Sequence, residues 1–334
     1  MNYEPPFTVT TKAVNLISEI SEKIGEINKL ANSERTVNLR KKNRIRTIHS
    51  SLAIENNSLT IEQITAIIEG KKVLGPPNEI QEVKNAVQAY ELILNLKPHS
   101  QKDLLKAHKL MMNDLVKQNG KYRKAGVGIF DGKEVVHVAP PADKVPFLMN
   151  DLFEWLKKSD VHPLIKSCVF HYEFEFIHPF EDGNGRMGRL WQTVILTEWR
   201  SVFAWLPIET LIKENQKSYY KALRISDKNS DSTAFIEFML SVILKTIKDI
   251  IASELKNTVK ITRKITAKIT QKITVNQRKI IAAIKNNPYI TQDELSEAVG
   301  IARLNIIKNM KKLQEQNLIK RIGADKNGYW QVAD

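Results

Sequence analysis

The chain has 334 residues, 42% of them apolar and 26% charged. That is enough for a sizeable core and two or three domains, and it excludes the disordered and fibrous classes. The formal net charge of +14 favours anionic partners such as nucleotides, nucleic acid or an anionic membrane surface. A single cysteine, Cys168, excludes an internal disulfide and reads as a small buried hydrophobe. No apolar run approaches the roughly 18 residues of a membrane span. The start MNYEPPFTVTTK lacks the basic and apolar regions of a signal peptide, so a cytoplasmic location is expected.

Most of the chain reads as helix. TKAVNLISEISEKIGEINKLA carries Val14, Ile17, Ile20, Ile24 and Ile27 at helical spacing. SLTIEQITAIIEG starts on Ser58 or Thr60 as a cap and stops at Gly70. After the break at Gly75 to Pro77, EIQEVKNAVQAYELILNL and QKDLLKAHKLMMNDLV are helical. GVGIFDGKEVVHVAPP is the one β signal in the first 250 residues or so: two short apolar runs around Asp131-Gly132, a turn dipeptide. Helical patterns return in VPFLMNDLFEWLKK, HPLIKSCVFHYEFEF, RLWQTVILTEWR, LIKENQKSYYKALRIS and TAFIEFMLSVILKTIKDIIASEL. KITRKITAKITQKIT then repeats Lys-Ile-Thr at period four. It reads as a basic helical or partly ordered linker with a solvated face. The tail from residue 275 reads as helices followed by two strands about a turn at Asp325 to Gly328, a winged helix.

The densest chemistry lies in HPFEDGNGRMGR, from His178 to Arg189. Gly183 and Gly185 around Asn184 let the backbone turn and expose consecutive N–H groups ahead of a helix, a cradle for phosphate. Arg186 and Arg189, three apart, are suited to one polyphosphate. Asp182 suits Mg²⁺ between phosphates. His178, with an ordinary pKa near ~6.5, can accept a proton at neutral pH. The set fits a nucleophile attacking a nucleotide phosphate. It is not a Walker loop, because no Gly-Lys-Ser/Thr follows. His171 reads as a buried, hydrogen-bonded histidine, since no third metal ligand is evident.

This string resembles the signature of the Fic family, HxFx[D/E]GNGRxxR, at every defined position, and the likeness covers roughly residues 1–250. The resemblance implies a helical bundle with a β-hairpin flap and transfer of AMP from ATP to a Ser, Thr or Tyr hydroxyl. It implies that His178 deprotonates the hydroxyl and that Asp182 binds Mg²⁺. Asn184 and the backbone of Gly183 and Gly185 would bind phosphate oxygens, Arg186 and Arg189 would hold the distal phosphates, and Phe180 would anchor the loop. Residues Ile129, Phe130, Asp131, Gly132 and Lys133 would form the flap tip, where a target adds a strand. Tyr219 and Tyr220 resemble the family's adenine-side tyrosines. Asn215-Gln216 stands where the family often has Asn-Arg.

Ser51-Leu52-Ala53-Ile54-Glu55-Asn56 fits the family's inhibitory pattern [S/T]xxxE[G/N]. By that resemblance Ser51, Glu55 and Asn56 form an N-terminal inhibitory helix of the arrangement called class II, which often dimerises. Glu55 is expected to pair with Arg186 and take the fork meant for the γ-phosphate.

The expected architecture is mainly α, with four parts. These are an N-terminal helical region at 1–98, a Fic core at 99–252, the basic linker at 253–274 and the winged helix at 275–334. The expected function is an autoinhibited AMP transferase acting on a protein, the chain itself included, with ATP and Mg²⁺. The alternative is a DNA-binding regulator whose Fic core senses or uses nucleotide; a third reading keeps the enzyme but changes the group transferred. Arg303, Asn305, Lys308, Asn309 and Lys312 line the recognition helix, with Lys320, Arg321 and Lys326 by the wing. Such residues suit DNA, although winged helices also dock proteins.

Overall fold

The computed structural model describes residues 3–30, 35–131, 134–324 and 328–332. The chain divides into two units, Met1–Glu254 and Leu255–Asp334. Fourteen α-helices and two small antiparallel sheets lie among the described residues.

The first unit opens with α1 (Thr11–Leu30), which buries Ala13, Ile20, Ile24 and Ile27. Val14 belongs to the expected stripe but is 52% exposed. Ala13 takes its place because it sits two full turns before Ile20. α2 (Arg35–Ile54) buries Ile45, Ile48 and Leu52, but also Asn43, Thr47, Ser50 and Ser51. Half of its core face is therefore polar. α3 (Ile61–Ile68) starts in a capping box: Thr60 Oγ1 accepts from Gln63 N, and Gln63 Oε1 accepts from Thr60 N. α4 (Pro77–Glu91) begins on the proline that breaks the preceding segment, and α5 (Gln101–Met111) is capped by Ser100.

β1 (Gly128–Asp131) and β2 (Glu134–Val138) pair antiparallel, with a register shift between Ile129 and Phe130. Gly132 and Lys133 of the expected flap tip lie outside the described residues. There follow α6 (Val145–Lys158), α7 (Pro163–Ile177), α8 (Asn184–Trp199), α9 (Ile208–Glu214) and α10 (Gln216–Asn229). α11 (Thr233–Lys272) contributes Phe235, Met239 and Ile243 to the core, and its backbone stays helical through the first three Lys-Ile-Thr repeats. Phe170, Phe174, Phe180 and Trp191 of the α7–α8 region are fully buried, so the loop between these helices is fixed from below. No described helix is long and apolar enough to cross a membrane.

In the second unit, α12 (Val275–Asn286) and α13 (Gln292–Val299) each start in a capping box, at Thr274 and Thr291. Gly300 at φ 75° ends α13 in the left-handed conformation that glycine adopts without strain. α14 (Arg303–Glu315) and the ladder of β3 (Ile319–Ile322) with β4 (Tyr329–Val332) complete a winged helix. Its core is Ile280, Ile284, Leu295, Ile306, Met310 and Leu313. Lys326, expected by the wing, lies outside the described residues.

Candidate active site

α7 ends at His178, whose backbone is left-handed at φ 50°, ψ 58°. Such a residue costs about 1–2 kcal/mol unless its surroundings hold it there. Here its N–H donates to Phe174 O at 2.9 Å, and its carbonyl accepts from Arg123 Nε at 2.8 Å. His178 Nδ1 lies 3.2 Å from Glu175 O. A carbonyl only accepts, so Nδ1 carries the proton, and in the neutral ring Nε2 keeps the lone pair.

The loop from His178 to α8 is closed by Asn184. Its Oδ1 accepts from Phe180 N at 2.8 Å and its Nδ2 donates to Phe180 O at 2.9 Å. The Asn184 side chain is therefore committed to the loop rather than open to a phosphate; its backbone N–H remains at the start of α8. Gly183 sits at φ 82°, and a Cβ there would meet Met112 Sδ at 2.6 Å. A Cβ on Gly185 would run into Glu55 Oε1 and lie 3.0 Å from Arg189 Nη1. A Cβ at either position would push these side-chain ends aside, and at Gly183 the left-handed backbone strains any other residue as well. The Gly183 N–H donates to Asp182 Oδ1 at 2.6 Å, so the N-terminus of the 16-residue α8, rather than the Gly183 amide, is the part suited to an anion.

The two arginines diverge. Arg189, 2% exposed, donates from Nη2 to Glu55 Oε1 at 2.7 Å and from Nε to Ser51 Oγ at 3.1 Å. Arg186 donates instead to Glu82 Oε1 at 3.1 Å and to the Asp182 carboxylate at 3.2 and 3.3 Å. The expected Glu55–Arg186 pair is thus corrected to Glu55–Arg189. Three helical residues turn about 300°, which sets the two side chains about 60° apart. Arg189 faces the end of α2, and Arg186 faces α4. Burial opposes the charge on Arg189, but the Glu55 carboxylate overrides it and keeps the guanidinium ionised.

Asn56 has φ 67°. Asn56 N–H bonds Ala53 O and Asn57 N–H bonds Leu52 O, which is a Schellman ending for α2. This explains the glycine or asparagine of the inhibitory pattern: the residue after the glutamate must turn left-handed to leave Glu55 over the loop. A cavity of about 910 Å³ is lined by Glu55, His178, Gly185, Arg189, Gln216 and Tyr220, among others. The His178 imidazole, Gly185 and the buried Arg189 guanidinium face one space, and the Glu55 carboxylate holds that guanidinium.

The family model described as Fic/DOC matches residues 98–196. A winged helix-turn-helix DNA-binding model matches residues 273–320. A protein adenylyltransferase Fic of Nematostella vectensis is 29% identical over 62% of this chain, and one of Aedes aegypti is 27% identical over 61%. The chain spans only 48% and 41% of those two curated relatives. The crystal structure of a Fic family protein from Desulfovibrio desulfuricans G20 is 42% identical, with a TM-score of 0.72, over 99% of this chain and 98% of that one. The chain belongs to the Fic family.

Several residues that position the site of this Fic protein carry no signal in the sequence. Arg123 is buried, and its guanidinium bonds the carbonyls of His178, Ile177, Ala125 and Pro140. It joins the loop after α7 to both flanks of the hairpin. His108 stacks on Phe180 at 3.6 Å; its Nδ1 accepts from Gly120 N, so Nε2–H donates to Asp182 O at 3.0 Å. Burial pushes its pKa down to about 4, which keeps that ring neutral. Glu82 binds Arg186 through Oε1 and accepts from Asn57 Nδ2 through Oε2 at 2.7 Å. Gln216, where the family often has arginine, donates to Ile54 O at 3.1 Å, and Lys213 bonds Ala53 O. Both close the C-terminal carbonyls of α2.

The two tyrosines separate. Tyr220 is 40% exposed, whereas Tyr219 is buried against Phe235 and Phe238, its hydroxyl 3.1 Å from His171 Nε2. Both line the cavity. Adjacent residues on a helix point about 100° apart, so they do not present matching faces. His171 is fully buried, with Nδ1 2.7 Å from Gln192 Oε1. No group of three or more His, Cys, Asp or Glu able to hold a metal lies among the described residues. Cys168 is buried, and burial pushes its thiol up to about 12.

Proposed function

We propose that this Fic protein is an autoinhibited protein adenylyltransferase. It transfers AMP from ATP to a Ser, Thr or Tyr hydroxyl of a protein, itself included, and releases pyrophosphate. The observation that carries this reading is the Arg189–Glu55 pair over the loop from His178 to Gly185. A guanidinium buried beside an anion cradle is an anion site, and a carboxylate of the same chain occupies it. The four-part division at 98, 252 and 274 belongs to the same reading.

In the transfer, His178 Nε2 takes the proton of the target hydroxyl. The hydroxyl oxygen bonds the α-phosphorus as the bond from that phosphorus to the β-bridging oxygen breaks. The loop amides steady the phosphate oxygens, and Arg186 and Arg189 take the charge that grows on the leaving pyrophosphate. Asp182, a hard carboxylate whose side chain is 57% exposed and meets Arg186, is the residue that would hold Mg²⁺. When bound through Asp182, Mg²⁺ supplies neutralisation of the triphosphate charge. Labelled ATP tests the reading. Label from the α-phosphate is expected on protein, with none from the γ-phosphate; γ-label on protein makes the chain a phosphotransferase instead.

A second reading draws on the tail. A DNA-binding regulator whose Fic core senses or uses nucleotide is favoured by the winged helix-turn-helix match and by α14, which exposes Leu304, Asn305, Ile307, Lys308 and Lys312. Arg303 is drawn 3.0 Å from Asp293, and Arg321 lies over the Trp330 ring, so the two lysines are the freer phosphate contacts. DNA affinity is expected to fall as salt rises. Replacing Lys308 and Lys312 by alanine should flatten the log–log slope by about 1 for each lysine that meets a phosphate. A slope near zero in the unchanged protein removes this reading.

A further inference from the structure

Two arginines serve the triphosphate in the transfer, and the second of them is held as well, from another helix. Arg186 Nη1 donates to Glu82 Oε1 of α4 at 3.1 Å, and its Nη2 meets both Asp182 oxygens. The Arg186 side chain is 4% exposed and that of Glu82 20%, so solvent only partly screens the pair. Among the described residues, the lining of the cavity includes Glu55, His178, Gly185 and Arg189 but not Arg186. Arg186 is therefore drawn to α4, away from the space where the triphosphate must lie.

Glu82 is itself set in place by the end of α2. Asn57, two residues after Glu55, is buried. Its Nδ2 donates to Glu82 Oε2 at 2.7 Å and to Glu79 O at 3.2 Å, and its Oδ1 accepts from Leu59 N at 3.1 Å. Both amide hydrogens are thus spent, and Glu82 Oε1 is left for the guanidinium. The hold on Arg186 is incomplete: its Nε is buried and has no hydrogen-bond partner among the described residues. A guanidinium fixed for structure alone has its buried donors satisfied. One with a donor to spare, in the first turn of α8, is suited to exchanging a carboxylate for a phosphate. Residues 55–57 thus supply one carboxylate to the site and steer a second.

We propose that Glu82 is a second inhibitory carboxylate, holding Arg186 on the α4 side as Glu55 holds Arg189. The proposal rests on the autoinhibited reading above, and its test separates the two. Glu82→Gln keeps the shape and removes the charge; it is added to Glu55→Gly in the full chain. Measured are kcat and KM for ATP in transfer of α-label, and thermal melting with and without inorganic triphosphate. The double variant is expected to exceed Glu55→Gly about five-fold in kcat/KM, the difference between a charge-assisted and a neutral hydrogen bond. The gain should fall on KM with kcat unchanged, because a competitor for the anion is removed and the reacting atoms are untouched. Triphosphate should also raise the melting temperature of the double variant more than that of Glu55→Gly. If Glu82 instead held Arg186 in its working position, kcat would fall in the double variant. That result overturns the proposal, and so does a kcat/KM no higher than in Glu55→Gly. A Glu55→Gly chain no faster than the unchanged one fails the autoinhibited reading and takes the proposal with it. Should Glu82→Gln not fold, Glu82→Asp draws the carboxylate back by one methylene, out of reach of Arg186, and is held to the same outcomes.

Discussion

Glu55→Gly is expected to raise AMP transfer about 30-fold while lowering the melting temperature. The two effects have one cause. Arg189 is buried and held by Glu55 at 2.7 Å. Breaking a buried ion pair by removing one partner costs about 3–5 kcal/mol. Glu55 is 33% exposed, so solvent screens the pair and about 2 kcal/mol is the appropriate scale. Two kcal/mol of competition removed from an anion site shifts its occupancy by about 30-fold. The same substitution leaves the buried guanidinium hydrogen-bonded to Ser51 but without a counter-charge at Nη2, and the folded state is weakened accordingly. ATP should then protect the variant against heating more than it protects the unchanged chain, because a triphosphate takes the place of the carboxylate. Rates from α-labelled ATP and melting curves with and without ATP check both halves. Higher transfer with no change in melting would separate the pair from the inhibition.

His178→Ala is expected to lower transfer by about 10²–10⁴-fold, the usual worth of a positioned general base. The backbone complicates this substitution, because residue 178 sits at φ 50°, where alanine is strained by about 1–2 kcal/mol. His178→Asn is the cleaner variant, since asparagine adopts that region more readily. Both are expected to lose transfer alike, whereas only alanine should shift the urea midpoint. If asparagine keeps full transfer, the lost function belongs to the loop geometry and not to the imidazole.

The fold was largely legible because α7, α8 and the winged-helix elements combine apolar periodicity with caps and breakers that agree. α2 was not legible from periodicity. Its core face carries Asn43, Thr47, Ser50 and Ser51 beside Ile45 and Ile48, so no apolar stripe marks it; only the likeness of residues 51–56 to the inhibitory pattern drew attention there. In the site, the loop residues were readable because glycine, aspartate and arginine announce their chemistry at short spacing. Which arginine meets Glu55 was not readable: it depends on a difference in direction of about 60° and on how α2 leaves its last turn. Arg123, His108 and Glu82 were silent for another reason. Each lies in an ordinary stretch, and a partner more than 50 residues away in sequence ties it to the site.

The central claim is that a competent AMP-transfer site is held off by Glu55. Intact mass of the Glu55→Gly chain after incubation with ATP and Mg²⁺, beside the unchanged chain and the Glu55→Gly, His178→Asn double variant, tests it most directly. The expected result is a gain of AMP units in Glu55→Gly, far less in the unchanged chain and none in the double variant. An equal gain in Glu55→Gly and the unchanged chain, or a gain of phosphate in place of AMP, would contradict it.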